Sequence, residues 1–300
     1  MKAVQDFSQQ VEQWLLSLNM PFAVELVSTD SFQIIEVKLD KQLRMVIRLI
    51  DLSTWIILQE KASEKLAAFS ADQKEIREFG ISVVTLWEDI WIQENAVAKS
   101  RLSAMLGISH RIPARTTAVR RIDKPTADKF LRENHLQKAV TSKVKYGLFL
   151  PNRYFRVLKA DYQFNRAAPE LLVAVATFSH ARIFEREGKP FRSYELIRFA
   201  NLLDTTVIGG LDKLLRFFEE DCKPDDIMTY ADMEWSDGAS YKRLGFEAVS
   251  DKAPIPFWLD KKTLKRTRRP EKMDNDNLIE VYNGGSRKFV REIFASFNTL

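Results

Sequence analysis

Two adjacent glycines before a predicted helix could bind a phosphate group. Gly209 and Gly210 follow the apolar Ile208 and precede the amphipathic sequence LDKLLRFFEE. Backbone N–H groups at a helix N-terminus favour an anion, and glycine lets a ligand approach the backbone closely. Lys213 would add a positive charge, whereas the carboxylate of Asp212 would repel a diphosphate. The same pattern is also typical of an ordinary strand-to-helix turn.

Three titratable side chains are candidates for proton transfer. Tyr241 precedes a Gly-Phe pair, and a phenol with a pKa of about 10 can protonate a departing thiolate. Asp232 follows an apolar strand pattern and could orient or deprotonate a nucleophile. His135, at the end of a predicted helix, could move protons near neutral pH. Each residue also has a structural interpretation. Tyr241 could pack the helix onto the sheet, Asp232 could be a solvated acid in a turn, and His135 could cap the carbonyls at a helix end.

Positive charge is concentrated after residue 110. Residues 1–110 hold 11 basic and 15 acidic residues, and the remainder holds 35 basic and 26 acidic residues. Two basic stretches, HRIPARTTAVRRIDK and LDKKTLKRTRRPEK, could neutralise DNA phosphates without reading sequence, although solvated loops have a similar composition. The candidate DNA contacts are Arg115, Arg120, Arg121, Lys265, Arg266, Arg268 and Arg269.

The patterns that must position these residues are those of an α/β (α+β) protein. Short apolar runs predict strands in the first 60 residues, TWIILQE among them, and again after residue 144. Helices are predicted for KASEKLAAFSADQKEIREFG, TADKFLRENHL and GGLDKLLRFFEEDC, and NLIEVYNGGSRKFV is predicted to form a hairpin. A polar, basic crossing near residue 110 predicts two domains, residues 1–110 and 111–300.

The composition excludes several classes of protein. Hydrophobic residues make up 45% and charged residues 29% of the 300-residue chain, as in globular proteins. No apolar run approaches the roughly 20 residues that span a bilayer, so no membrane partner is expected. Cys222 is the only cysteine, which excludes an internal disulfide and a cysteine-based metal site. A reducing, cytoplasmic location is expected.

The order of elements across residues 193–249 resembles the second half of the GNAT acyltransferase fold. That order is a strand, the glycine turn, a helix, a strand, a short helix with Tyr241, and then LGFE. A wider resemblance covers residues 111–290 and is to the GNAT-like domain of phage Hef-like homing endonucleases and Mom-type DNA-modification proteins. The stretches that carry it include ELLVAVATFS, YELIRFAN, VIGGLDKLLRFF, TYADMEWSDGASYKRLGF and EVYNGGSRKFV.

This resemblance implies acetyl-CoA or a related acyl-CoA as cofactor and DNA as partner. In the GNAT family the turn before the long helix binds the cofactor pyrophosphate, which implies this role for Ile208, Gly209, Gly210 and Lys213. Tyr241 stands at the spacing of the family's general-acid tyrosine. The sequence departs from the family's Arg/Gln-x-x-Gly-x-Gly/Ala pattern in this loop.

The stretch GISVVTLWEDIWIQENAVAKSRLSAMLGISHRIPAR resembles the end of a Vsr-like nuclease domain of the PD-(D/E)XK type. Such nucleases hold a divalent metal with an Asp and a Glu-x-Lys set. Asp30 with Glu36-Val37-Lys38 offers one such set, and Asp51 with Gln59-Glu60-Lys61 offers another. No Gly-x-x-Trp-His segment follows, and no histidine precedes His110, so we expect a degenerate nuclease-like domain.

Together, the patterns predict a DNA-associated, Mom-like group transferase. One alternative is a metal-dependent homing-type DNA endonuclease, which would use Mg²⁺ at Asp51, Glu60 and Lys61. The other is a catalytically silent DNA-binding module. Outside the endonuclease alternative no metal site is expected.

Overall fold

The computed structural model describes residues 6–29, 31–268 and 277–293. Its contacts divide the chain into two units. Unit 1 comprises the described residues of Met1–Asn95, Ala231–Ala239 and Ser250–Arg287, and unit 2 those of Ala96–Tyr230, Ser240–Val249 and Lys288–Leu300. The predicted division into 1–110 and 111–300 therefore differs, because two C-terminal segments belong to unit 1.

Helices and strands alternate along the chain, as the sequence patterns predict for an α/β protein. The α-helices are α1 Phe7–Ser17, α2 Leu52–Leu58, α3 Ala62–Glu78, α4 Glu88–Gln93, α5 Asn95–Met105, α6 Lys124–Asn134, α7 Gly210–Cys222 and α8 Ala239–Arg243. The strands are β1 Phe22–Ser28, β2 Gln33–Leu39, β3 Gln42–Ile50, β4 Ser82–Trp87, β5 His110–Pro113, β6 Ala118–Arg121, β7 Val144–Pro151, β8 Glu170–Phe178, β9 Arg182–Arg186, β10 Lys189–Asn201, β11 Thr205–Ile208, β12 Asp226–Asp232, β13 Glu247–Lys252, β14 Pro256–Asp260, β15 Arg266–Thr267, β16 Leu278–Tyr282 and β17 Ser286–Glu292.

Unit 1 contains a four-stranded sheet in the order β1-β2-β3-β4. The first three strands are antiparallel, and β4 is parallel to β3 after the crossover through α2 and α3. A three-stranded sheet, β15-β14-β16, contributes Leu259, Ile279 and Val281 to a core cluster that also contains Trp55 and Trp87. The C-terminal segment therefore supplies part of the core of unit 1.

The segment TWIILQE is helical, so its predicted strand is wrong. Asp51 is the N-cap of α2, because its Oδ1 accepts a 2.7 Å hydrogen bond from the backbone N–H of Thr54. The burial of Leu52 and Trp55 then follows the helical spacing of three residues, whereas Ile57 is exposed. The capping side chain and the helical spacing prevail over the β-branched composition.

The eight-stranded sheet that dominates unit 2 has the order β13-β17-β12-β10-β8-β7-β6, with β9 paired to β10. The pairs β6–β7, β7–β8 and β8–β10 are antiparallel, and β10 is parallel to β12. This arrangement confirms the predicted mixed sheet flanked by helices. The strands β16 and β17 join different sheets instead of forming the predicted hairpin.

Helix α7 packs on this sheet through an apolar stripe. Leu211, Leu214, Leu215 and Phe218 recur at helical spacing and are buried, and the Phe218 ring stacks on Phe178 of β8 with centroids 3.9 Å apart. In the described part of the chain, no helix is long and apolar enough to cross a membrane.

Candidate cofactor-binding and catalytic site

Strands β10 and β12 part after a short parallel pairing. Three register pairs join them, from Ser193 with Asp226 to Glu195 with Met228. Beyond these pairs, β10 bulges between Leu196 and Arg198 and continues along β8 alone. The bulge leaves Ile197 outside the β8 ladder, which re-aims the following side chains. The backbone pairing of β10 with β12 therefore ends at Glu195 and Met228.

The chain leaves β10, passes through β11 and α7, and enters β12, which is parallel to β10. The glycine turn at the start of α7 therefore lies at the carboxyl end of β10. Gly209 adopts a left-handed conformation (φ 76°), which glycine reaches without strain. A Cβ on Gly210 would lie 2.9 Å from the side chain of Val207, so this glycine is required for packing. The helix has no side-chain cap, which leaves its first N–H groups as donors for an anion.

Lys213 and Asp212 are both partly engaged within unit 2. The ammonium group of Lys213 donates a 2.9 Å hydrogen bond to the carbonyl of Ala114 and a second bond to the carbonyl of Thr117. The Asp212 carboxylate pairs at 3.1 Å with Arg216, one turn along the helix. Lys213 thus mainly anchors the start of α7, and Arg216 reduces the repulsion that Asp212 would exert on a phosphate.

Tyr241 lies among cationic and hydroxyl groups of unit 2. Burial raises the pKa of its phenol. A hydrogen bond with the hydroxyl of Thr229 lowers this pKa, and so do the charges of Arg101 and Arg198. Thr229 also donates a 3.0 Å hydrogen bond to the carbonyl of Leu196, at the bulge of β10. Tyr241 therefore stays protonated at neutral pH and can act as a proton donor.

His135 shares these cationic neighbours. Burial, followed by the charges of Arg198, Arg101 and Lys138, lowers the pKa of its imidazole to about 3. Its Nδ1 accepts a 3.1 Å hydrogen bond from the backbone N–H of Gln137, so the proton of the neutral ring is on Nε2. At neutral pH, the His135 imidazole is therefore neutral with its proton on Nε2, and its role in proton transfer stays a prediction.

Asp232 belongs to unit 1, whereas the glycine turn and Tyr241 belong to unit 2. The Asp232 side chain accepts a 3.1 Å hydrogen bond from the backbone N–H of Glu234. Glu234 is buried, and its Oε1 accepts a 2.7 Å hydrogen bond from the indole of Trp87. No sequence pattern distinguishes Glu234 from its acidic neighbours.

The predicted DNA contacts fall into different environments. Arg120 pairs with Glu170, and Arg121 pairs at 2.6 Å with Asp221, although both arginines are exposed. Arg266 instead makes a bidentate pair with the buried Asp89 at 2.6 and 2.8 Å, so it is a structural residue of unit 1. Arg115, Lys265 and Arg268 are also exposed, and Arg269 lies outside the described residues.

The described residues of the nuclease alternative do not form a metal site. Asp51 caps α2, and Glu60-Lys61 lies exposed in a short 3₁₀ turn instead of on a strand. In β2, Lys38 pairs with Glu36 at 2.8 Å, and Asp30 is outside the described residues. Among the residues that the structure describes, no group of three His, Cys, Asp or Glu residues could hold a metal ion.

Comparison with known proteins gives distant structural similarities. No protein-family model matches the chain, and no curated protein matches it. A structure described as the KacTA–DNA complex is 18% identical, with 55% of this chain and 92% of that chain covered and a TM-score of 0.28. A histone acetyltransferase HPA2 and related acetyltransferase from Corynebacterium glutamicum is 12% identical, with 60% and 99% covered and a TM-score of 0.32.

Proposed function

We propose that the chain is a DNA-associated group transferase of GNAT-like type that uses an acyl-coenzyme A. The observation that carries this proposal is the parting of β10 and β12 after three register pairs, with the uncapped N-terminus of α7 at the same end of the sheet. A ligand can enter between strands that are no longer hydrogen-bonded, and the helix end offers donors for its phosphates.

The residues at the glycine turn fit a diphosphate. The first N–H groups of α7 would hold it, and Gly209 presents no side chain that blocks their approach. The exposed Arg115 follows Ala114, whose Cβ lies 3.7 Å from the position of a Cβ on Gly209. Arg115 therefore adjoins a residue that lies against the glycine turn, and it could pair with a cofactor phosphate as well as with DNA.

The chemistry of the transfer would fall to the groups at the bulge. A bound acyl-coenzyme A would supply an acyl group on a thiol leaving group. Tyr241 holds a proton at its phenol oxygen and would donate it to the departing sulfur. Arg101 and Arg198 add positive charge close to Tyr241, which would stabilise negative charge that develops on the reacting atoms.

Acetyl-CoA binding to the full chain and its variants, measured by calorimetry, tests this proposal. The Asp212→Asn substitution removes the acidic group at the start of α7 and should tighten binding by about 2- to 5-fold. Glu220→Gln, which removes an exposed carboxylate near the other end of α7, is the control and should leave the affinity unchanged. If neither the native chain nor Asp212→Asn binds acetyl-CoA, the transferase proposal fails.

A further inference from the structure

The hairpin formed by β9 and the start of β10 is an exposed arm of unit 2. Its strands are joined by Glu187-Gly188, both with positive φ (55° and 73°), as in the two-residue turns that match the twist of a hairpin. Every residue from 182 to 190 is exposed. The arm is thus a short, regular ribbon whose two faces are open to solvent.

The register of the hairpin sorts its side chains into two unlike faces. Arg182, Phe184 and Arg186 alternate along β9, and the residues directly opposite them are Ser193, Phe191 and Lys189. Opposed and alternating residues point to the same side of a ribbon, so the three cations and two phenylalanines share one face. The two acidic residues of the arm do not lie on it, because Glu185 is on the other face and Glu187 is in the turn.

Contacts on this basic face preserve its geometry and leave charge available. The rings of Phe184 and Phe191 lie with centroids 5.0 Å apart, and the Arg186 guanidinium lies 5.0 Å from the Phe191 centroid. Arg186 also pairs with Glu292 at 2.7 Å, but both side chains remain 40–50% exposed. Within the described part of the chain, Arg182 and Lys189 have no ion-pair partner.

We propose that this basic face of the β9–β10 hairpin binds duplex DNA by entering the major groove. The inference rests on the DNA association in the proposed function and names the element that makes the contact. A two-stranded ribbon fits a groove about 12 Å wide, and cations on one face can reach the phosphates that line it. The three cations of that face outnumber the one carboxylate that pairs with it, Glu292, and this excess of positive charge favours a polyanion over an acidic or neutral protein partner.

DNA-binding measurements on the full chain test the proposal. Fluorescence anisotropy with a labelled 20-base-pair duplex is recorded over a range of salt concentrations. The Arg182→Gln/Arg186→Gln/Lys189→Gln variant should bind at least 10-fold more weakly at 0.1 M salt, and its salt slope should fall by about 2–3, since each phosphate contact contributes about 0.9. These residues are exposed, so the variant should fold as the native chain does.

A matched control removes three other exposed cations of unit 2, Arg153, Arg156 and Lys159, by the same change to glutamine. Retained affinity in this control supports the hairpin as the contact. An unchanged hairpin variant, or a loss confined to the control, would overturn the inference while leaving the acetyl-CoA measurement of the proposed function intact. Equal affinity for double-stranded RNA would also overturn it, because the RNA major groove is too narrow for a ribbon.

The exposed phenylalanines provide a test against a protein partner. If Phe184 and Phe191 instead joined two copies of the chain, Phe184→Ala/Phe191→Ala would convert a dimer to a monomer in light scattering and leave DNA binding intact. That result would overturn the proposal. If the native chain binds no DNA but binds acetyl-CoA, the hairpin proposal fails together with the DNA association, and the transferase chemistry stands.

Discussion

Replacing Glu234 with glutamine is expected to remove a pH dependence from the stability of unit 1. The Glu234 side chain is 7% exposed, and its Oε1 accepts a 2.7 Å hydrogen bond from the indole of Trp87. Burial, and next the neighbouring charge of Asp232, raise the pKa of Glu234 to about 8 from the usual 4.5. The folded state therefore keeps a proton that the unfolded chain releases.

The sign and the size of the effect follow from this difference in pKa. Between pH 4.5 and pH 8 the folded state binds more protons, so the free energy of unfolding falls as the pH rises and levels off above pH 8. The slope approaches about 1.4 kcal/mol per pH unit, and the loss between pH 6 and pH 8 is about 2 kcal/mol because Glu234 is half ionised at the upper limit. Glutamine keeps the acceptor for Trp87 but does not titrate.

Tryptophan fluorescence during urea unfolding measures this effect in unit 1 alone. All six tryptophans belong to that unit, namely Trp14, Trp55, Trp87, Trp91, Trp235 and Trp258. Unfolding curves at pH 6, 7 and 8 should show a falling stability for the native chain and a smaller fall for Glu234→Gln. The exposed Glu60→Gln is the matched control and should follow the native chain. Identical pH profiles for the native chain and Glu234→Gln would refute the reasoning.

Two further substitutions in unit 1 test whether Arg266 and Asp51 have structural roles rather than the DNA-binding and metal-binding roles that the sequence suggests. Arg266→Ala leaves the carboxylate of Asp89, which is 1% exposed, without its bidentate partner, and should destabilise unit 1 by about 3–5 kcal/mol in urea unfolding. The control Arg268→Ala removes an exposed arginine and should change the stability little. Equal stabilities of the two variants would contradict the structural role of Arg266. Asp51→Ala removes the N-cap of α2 and should lower the free energy of unfolding by about 0.5–2 kcal/mol in the same measurement. If the native chain nicked plasmid DNA with Mg²⁺ and Asp51→Ala abolished this activity, the nuclease interpretation would be restored.

The glycine turn could be predicted because local requirements dictate its residues. A left-handed backbone at Gly209 and a close contact at Gly210 both require glycine, and the apolar spacing of α7 is visible in the sequence. The role of Arg266 could not be predicted in this way. Its partner Asp89 is 177 residues distant, and a cation in a basic segment has the same local pattern whether it contacts solvent, DNA or a buried carboxylate.

Charged neighbours that come from remote segments also determine the chemistry of the candidate site. His135 was a proton-transfer candidate because an isolated imidazole titrates near neutral pH. In the fold, burial and the charges of Arg101 and Arg198 keep the His135 imidazole neutral. Arg101 is 34 positions and Arg198 is 63 positions from His135 in the chain. The same arginines lower the pKa of Tyr241, but burial raises it by more, so Tyr241 stays protonated. A type of residue therefore indicates a possible reaction, and its surroundings decide the protonation state in which it takes part.

Unit 1 is not a separable N-terminal appendage, as a degenerate nuclease domain confined to residues 1–110 would be. Its core cluster contains Trp55 and Trp87 from the first part of the chain and Leu259, Ile279 and Val281 from the last. The indole N–H of Trp55 donates a 2.8 Å hydrogen bond to the carbonyl of Glu280, 225 residues later. Because the hydrophobic contacts and this buried donor both need the later segment, a cut near residue 110 would expose apolar surface and leave Trp55 without its acceptor.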